Sequence, residues 1–277
     1  MPDPNSRVVA AACYCFRDFS PFVAYQSLPA LGIRHVDVPV AAGGGYFTPE
    51  LMEEKDVQRL SERLASLGVT PVIVGAYCDF LNPRHVEAMR VRLDFARKLG
   101  VGVVVTDAAR KIEVDRDEWR KLVNRLRYVG DFAADSGVRI AVETHVGLTH
   151  SGAIALRLLQ EVDHPAVGIN YDTGNIFFYN DDVDPAEEIK LVADRVFGVH
   201  LKDTRGGKGD WSGFCDLGQG RVNLPAIVAV LDAVGFRGPY CVELEAQAGE
   251  DLNREGCLAK VDRSAAYLRK IGLLPAR

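Results

Sequence analysis

The sequence predicts an α/β protein, a single (β/α)8 TIM barrel domain spanning residues 1–277. Three observations predict it. Short β-branched runs alternate with longer stretches of helical periodicity, and eight such runs can be counted. The later runs, VRIAVETH and VFGVHLKD, are nearly continuous apolar segments that turn polar only at their C-terminal ends, as strands buried on both faces do. No Pro/Gly/Ser-rich linker divides the chain, and one closed barrel of this kind ordinarily takes about 250 residues. A doubly wound open sheet is the alternative. It usually carries a glycine-rich loop after its first strand, and CYCFRDF is not one.

The strands are expected at Val8–Cys15, His35–Val40, Thr70–Tyr77, Gly102–Asp107, Val138–His145, Val167–Asp172, Val196–Lys202 and Pro239–Glu245. Helices fill the gaps. Pro49–Ser66 and Pro83–Leu99 place apolar residues at three- and four-residue steps. Asp115–Ala134 is long, charged on one side and apolar on the other. Ser151–Val162 has Thr149 or Ser151 available as its N-cap. Pro185–Ala193 opens with proline in its first turn. Asn223–Val234 follows, and Gly249–Ile271 closes the chain. Gly32, Gly68, Gly100, Gly137 and Gly235 stand where helices should end.

Composition excludes several classes. With 48% hydrophobic and 26% charged residues the chain is neither disordered nor collagenous nor a coiled coil. No apolar run approaches the ~20 residues of a membrane helix, so no membrane association is expected. MPDPNSRVVAAACYCF lacks a basic segment followed by a long apolar core, so no signal peptide is expected and the location is read as cytoplasmic. The net charge of −5, without basic runs, argues against a nucleic-acid partner. Six cysteines form no CxxC pair and are read as buried small hydrophobes. Cys13 and Cys15, two apart on an expected strand, would share a face.

The chemistry of such a barrel comes from the C-terminal ends of its strands. The last four end in Glu143, Asp172, His200 and Glu243, separated by 29, 28 and 43 residues. Each therefore projects from its own strand at one end of the barrel. Residues two apart share a face, which pairs Glu143 with His145, His200 with Lys202, and Glu243 with Glu245. Taken singly, these residues have plainer readings. Glu143 and Glu243 would serve in a structural ion network with Lys202 or arginines. Asp172 would be a turn or cap residue in DTGN. His145 and Lys202 would be supporting or surface groups. Taken together, three carboxylates beside a barrel core require a cation. Three carboxylates and one imidazole suit a single divalent metal ion, Mn²⁺ first, with Mg²⁺, Co²⁺ and Zn²⁺ as the other choices.

GVRIAVETH, VGINYDTGN, VFGVHLKDT and LGQGRVNLPAIVAVLDAVGFRGPYCVELE resemble the xylose isomerase-like TIM barrels. More narrowly they resemble the sugar phosphate isomerase/epimerase group, which includes ketose 3-epimerases and inosose dehydratases. The likeness covers most of the chain and is strongest from Gly137 to Glu245. It implies that Glu143, Asp172, His200 and Glu243 are metal ligands, and that His145 and Lys202 face substrate. Asp37 occupies a position where many relatives carry glutamate. Asn175 stands where many ketose epimerases carry histidine, a departure from their hydrogen-bonding pattern. Relatives that cleave DNA at abasic sites need more histidines than the six present here. Such relatives often form dimers or tetramers, which makes a homo-oligomer an implication of the resemblance.

The activity this implies is isomerisation or epimerisation of a small keto sugar or polyol ketone through an enediolate. Glu143 and Glu243 would exchange the proton, and His145, Lys202, Asn175 and Arg205 would bind substrate. Loss of a β-hydroxyl from the same enediolate would make the enzyme a dehydratase. A non-catalytic sugar-binding barrel is a third reading. A Schiff base on Lys202 is disfavoured, since nearby carboxylates raise the amine's pKa. The glycine-rich loop after the seventh strand has two readings. Arg205, Lys208 or Arg221 would hold a phosphate or carboxylate there, or the loop is a lid with ordinary turn glycines. Trp211 and Phe177 are candidates to cover a sugar ring.

Overall fold

The structure, a computed structural model, describes residues 7–16, 19–40, 46–245, 250 and 253–276. Eight parallel strands close into a barrel: β1 (Val9–Ala11), β2 (His35–Pro39), β3 (Thr70–Gly75), β4 (Val103–Thr106), β5 (Arg139–Glu143), β6 (Val167–Asp172), β7 (Val196–Leu201) and β8 (Tyr240–Val242). Each pairs with the next in sequence, and β8 closes the ring on β1. Around it lie α1 (Pro21–Ser27), α2 (Glu54–Ser66), α3 (Pro83–Lys98), α4 (Arg116–Asp135), α5 (Gly152–Val162), α6 (Asn175–Tyr179), α7 (Pro185–Glu188), α8 (Leu224–Ala233) and α9 (Arg254–Lys270). None of the described helices is long and apolar enough to cross a membrane.

Side-chain alternation creates two apolar layers. Ala10, Ile73, Val103, Val105, Ala141, Phe197 and Cys241 pack inside the ring. Val36, Val104, Ile140, Ile169, Val199 and Val242, among others, pack outward against the helices. An irregularity in β7 matters for the site. Ile169 pairs with Val196 but Asn170 pairs with Gly198, which leaves Phe197 as an extra residue. Val196, Val199 and Leu201 thus face outward, while His200 and Lys202 keep to the interior. A β-bulge changes side-chain phase in this way.

The expected elements hold with informative exceptions. The first strand stops at Ala11, and Cys13–Phe16 forms a 3-10 turn instead of continuing to Cys15. The cause is long-range: Asp37 Oδ1 accepts the Cys13 amide at 2.6 Å and so draws the chain off the ladder. Cys13 and Cys15 therefore do not share a strand face; their thiols meet the carbonyls of Asp37 and Val242 respectively. All six cysteines are buried thiols.

The helix expected from Pro49 begins only at Glu54, after a 3-10 turn at Pro49–Leu51. Glu53 and Asp56 form a capping box there, which fixes the start. Ser151, not Thr149, caps α5. The expected Pro185–Ala193 helix is broken into α7 and two 3-10 turns. Helices α1 and α6 were not expected. The expected start of the last helix at Gly249 lies outside the described residues, and α9 runs from Arg254. The five helix-ending glycines all have φ between 66° and 79°, the left-handed conformation that glycine adopts without strain.

Candidate active site and metal centre

Glu143, Asp172, His200 and Glu243 converge at the C-terminal end of the barrel. Each offers a ligand atom, and these atoms all lie within 4.8 Å of one another. His200 Nδ1 is 2.8 Å from Glu243 Oε2, 3.3 Å from Glu143 Oε2 and 4.0 Å from Asp172 Oδ2. Lys202 Nζ lies 2.9 Å from Asp172, 3.4 Å from Glu243 and 3.2 Å from Glu245. The residue pairs two apart are thus on one face.

Short polar contacts between neighbouring strand ends hold the cluster. Thr144 Oγ1 accepts the Asp172 amide at 2.7 Å, tying β5 to β6. Thr173 Oγ1 donates to the Lys202 carbonyl at 2.6 Å and accepts the Lys202 amide at 3.0 Å, tying β6 to β7. Thr149 donates to the Glu143 carbonyl at 2.6 Å. Asp172 combines the two roles read from its sequence. Its Oδ1 accepts the amides of Gly174 and Asn175, both at 2.9 Å, and so starts α6. Its Oδ2 faces the cluster.

A metal fits this donor set on the structure's own terms. Asp172 Oδ2, His200 Nδ1 and Glu243 Oε2 are buried and complete no hydrogen bond of acceptable geometry, although oppositely charged atoms are near. Buried polar atoms left this way are costly and call for a further partner. Three carboxylate oxygens and an imidazole nitrogen form the ligand class of a divalent cation.

The electrostatics agree. Burial works to lower the His200 pKa, but Glu243 and Glu143 overrule it and hold it well above the ordinary value. A proton on His200 and a divalent cation therefore compete for the same carboxylates. Burial favours the neutral form of Glu243, yet Lys202 and His200 pull its pKa well below the usual carboxylate range. Asp172 is pushed up to about 6 by burial, against the pull of Lys202 and with Glu243 and Glu143 adding to the rise. Lys202 loses charge stability through burial, but Asp172, Glu243 and Glu245 more than restore it and hold the amine well above its ordinary pKa. An amine so held is a poor Schiff-base nucleophile.

Glu143, His200, Glu243 and Lys202 line a cavity of about 470 Å³, with Asp172 buried beside them in the cluster. His145 and Asn175 line it too. His145 Nδ1 is 3.0 Å from Asp107 Oδ1, and its ring meets Tyr179 edge-on at 5.6 Å. Burial opposes its charge, but the Asp107 contact and the Glu143 carboxylate lift its pKa to about 9. Asn175 Nδ2 donates to Glu143 Oε1 at 3.3 Å and to the Thr144 carbonyl at 3.2 Å. Asp37 also lines the cavity, with burial raising its pKa. Trp211 stands at the cavity, its ring tilted against Phe178 and Phe214 with centroids 4.6 and 5.4 Å away.

Two candidates are placed elsewhere. Arg205 is exposed and bonds Gln219, at 2.6 and 3.1 Å. Phe177 is buried in the outer core, with the Arg221 guanidinium over its ring at 4.3 Å. Tyr77 and Asp107 were missed. Tyr77 donates to Glu143 Oε2 at 2.9 Å, and both residues line the cavity. Both follow the ends of strands, β3 and β4, so the strand-end rule that found Glu143 reaches them as well. A more open groove of about 480 Å³ beside Trp119 and Arg157 holds none of the candidates.

Comparison with known proteins agrees with this architecture. The family profile of the xylose isomerase-like TIM barrel matches residues 27–270. The chain is 26% identical over 188 residues to an inosose dehydratase of Geobacillus thermodenitrificans, covering 57% of this chain and 62% of that one. It is 25% identical over 200 residues to a 3-dehydroshikimate dehydratase of Pseudomonas putida, covering 68% and 31%. It is 26% identical over 206 residues to the L-ribulose-5-phosphate 3-epimerase UlaE of Escherichia coli O157:H7, covering 73% and 70%. The match thus spans less than two thirds of either dehydratase.

Among solved structures, a xylose isomerase-like TIM barrel protein from Mycobacterium smegmatis in complex with magnesium has a TM-score of 0.80 at 18% identity, with 99% of each chain covered. The IOLI protein with a bound zinc atom has a TM-score of 0.79 at 17% identity, covering 97% of this chain and all of that one. These structural likenesses are of fold. The chain belongs to the xylose isomerase-like TIM barrel family.

Proposed function

We propose that this protein is a metal-dependent isomerase or epimerase of a keto sugar or related polyol ketone. One observation carries the reading: three carboxylates, an imidazole and an ammonium group converge, and all but Asp172 line a cavity of a size for one small molecule. Glu143, Asp172, His200 and Glu243 would hold the ion, with Mn²⁺ the first choice and Mg²⁺, Co²⁺ and Zn²⁺ the others. When bound, the ion supplies a Lewis acid for the substrate carbonyl.

The chain's own residues supply the rest. Glu243, held ionised by Lys202 and His200, takes the proton from the carbon next to the carbonyl. Glu143, on a different strand, would enter the step carrying a proton and return it to give the isomer, which leaves Glu143 ionised and Glu243 protonated until exchange with water resets both. A carboxylate bound through one oxygen keeps the other for this work. Lys202 and His145 donate to the oxygen on which negative charge develops, and the Asn175 amide orients a hydroxyl. Similarity to dehydratase and epimerase relatives supports an enzyme of this general chemistry.

A specific observation favours a second reading. Asp107 keeps His145 protonated at neutral pH, so His145 is equipped to give its proton to a departing β-hydroxyl. The enzyme would then be a dehydratase. Incubation of the metal-loaded protein with ketoses and inososes in D₂O separates the two by proton NMR. Deuterium at an epimerised or isomerised carbon supports the first reading; an unsaturated product supports the second. Protein that does neither, with substrate binding intact, supports a sugar-binding barrel instead.

A further inference from the structure

Glu143 and Asp172 are held in different ways. Asp172 takes two backbone amides on Oδ1 at the start of α6. Glu143 is gripped by side chains from two other parts of the barrel, one on each oxygen. Tyr77, two residues past β3, donates its hydroxyl to Oε2 at 2.9 Å, and Asn175 Nδ2 donates to Oε1 at 3.3 Å. His200 Nδ1 lies 3.3 Å from the same Oε2, so Oε2 is the oxygen that faces the cluster. Tyr77 therefore bonds the oxygen that a cation would take. A carboxylate oxygen has lone pairs enough for a hydroxyl and an ion together. The last torsion of a glutamate is broad, and donors on both oxygens fix its plane. A hydroxyl also both donates and accepts, so the contact persists whether Glu143 is ionised or carries a proton.

The segment that carries Tyr77 is pinned residue by residue. The Ala76 amide donates to the Val105 carbonyl at 2.8 Å and the Cys78 amide to Thr106 Oγ1 at 3.0 Å, both on β4. Arg92 of α3 is buried behind it, donating to Cys78 Sγ at 3.3 Å and pairing with Glu50 at 2.8 Å. The Asp79 amide donates to His85 Nδ1, also on α3, at 2.8 Å. A side chain on so fixed a segment is preorganised for one place. Tyr77 itself is 37% exposed and lines the cavity, so its hydroxyl can be removed without opening the core.

We propose that Tyr77 is a positioning residue of the metal centre, its hydroxyl holding the Glu143 carboxylate in the orientation in which Oε2 meets the ion. Partners that orient a ligand from outside are worth about 10–100-fold in metal affinity. The inference rests on the reading of Glu143, Asp172, His200 and Glu243 as ligands of one divalent ion, and holds for an isomerase and a dehydratase alike.

The test is calorimetry of Mn²⁺ binding to the full chain, freed of metal by a chelator, as wild type, Tyr77→Phe and Tyr128→Phe. Tyr128 is exposed on α4, edge-on to Phe132, and is not among the residues that line the cavity, so it serves as the control. The expected dissociation constant is about tenfold or more higher for Tyr77→Phe and unchanged for Tyr128→Phe, with urea midpoints of the metal-free proteins near that of wild type. Wild-type or tighter affinity in Tyr77→Phe overturns the inference and leaves the metal centre standing. A role in substrate contact alone would raise KM in Tyr77→Phe without moving Mn²⁺ affinity, and overturns it too. A wild type that takes up no Mn²⁺ removes the metal reading itself, and the inference with it.

Discussion

His200 Nδ1 and Glu243 Oε2 lie 2.8 Å apart in the barrel floor, yet neither completes a well-aligned hydrogen bond. The two groups attract and are buried, and both face Glu143 and Asp172 as well. Such a pair is arranged for something placed between its members rather than for itself. Because Glu243 and Glu143 raise the His200 pKa, a cation entering the cluster must displace a proton from the ring. Metal affinity should therefore rise with pH below the His200 pKa. Calorimetry at pH 7 in buffers of different ionisation enthalpy should show about one proton released per ion bound. Binding without proton release would count against His200 as a ligand.

The Asp107–His145 pair makes a separate prediction about stability. The folded-state pKa of His145 is raised to about 9 from an unfolded value near 6.5. The pair's contribution is thus fully present below pH 6.5 and is lost as pH rises through 9. In metal-free protein, the stability gap between wild type and His145→Gln should narrow from pH 6 to pH 9.5. Urea midpoints across that range measure it. The His145 side chain is 32% exposed, so solvent screening keeps the effect small. A gap that widens with pH would show that the ring is not held protonated by Asp107.

Glu243→Gln should fold and lose activity. Lys202 keeps Asp172 and Glu245 as partners in this variant. Turnover should drop about 10²- to 10⁴-fold, the usual worth of a positioned base. Circular dichroism and steady-state assays check the two halves. Retained activity would remove Glu243 from the proton transfer.

Lys202→Met should be severe for stability. It takes the shared cation from Asp172, Glu243 and Glu245, and breaking a buried pair from one side costs about 3–5 kcal/mol. Added divalent metal should restore part of that loss by neutralising the same carboxylates, as urea unfolding with and without Mn²⁺ would show. Borohydride with substrate should not trap wild-type protein covalently. Trapping would establish the Schiff-base chemistry that the raised Lys202 pKa disfavours.

The barrel and the convergence of the last four strand ends were legible because both follow from local pattern. Buried parallel strands read as apolar runs, and one polar residue at the end of each is conspicuous. What escaped depends on contacts between distant residues. Nothing near Ala11 announces that Asp37 will capture the Cys13 amide and end β1 early. Nothing in VFGVHL marks Phe197 as the extra residue that keeps His200 inward, since a continuous apolar run hides its own phase. DTGN, by contrast, reads as a turn or helix cap, and one carboxylate oxygen of Asp172 takes that cap role at the start of α6. The glycines after β7 read as an anion site or as a lid with turn glycines, and the amides of Gly218 and Gly220 face Asp203, a residue of the same loop. Tyr77 and Asp107 were within reach of the strand-end rule, because each closely follows the end of a strand, β3 and β4.

The central claim is that Glu143, Asp172, His200 and Glu243 hold one divalent ion. Elemental mass spectrometry on native protein and on a His200→Ala variant tests it most directly. The account predicts about one Mn, Mg, Co or Zn per chain in the wild type and loss of that ion in the variant. No metal in either protein after incubation with Mn²⁺, or equal metal in both, would contradict it.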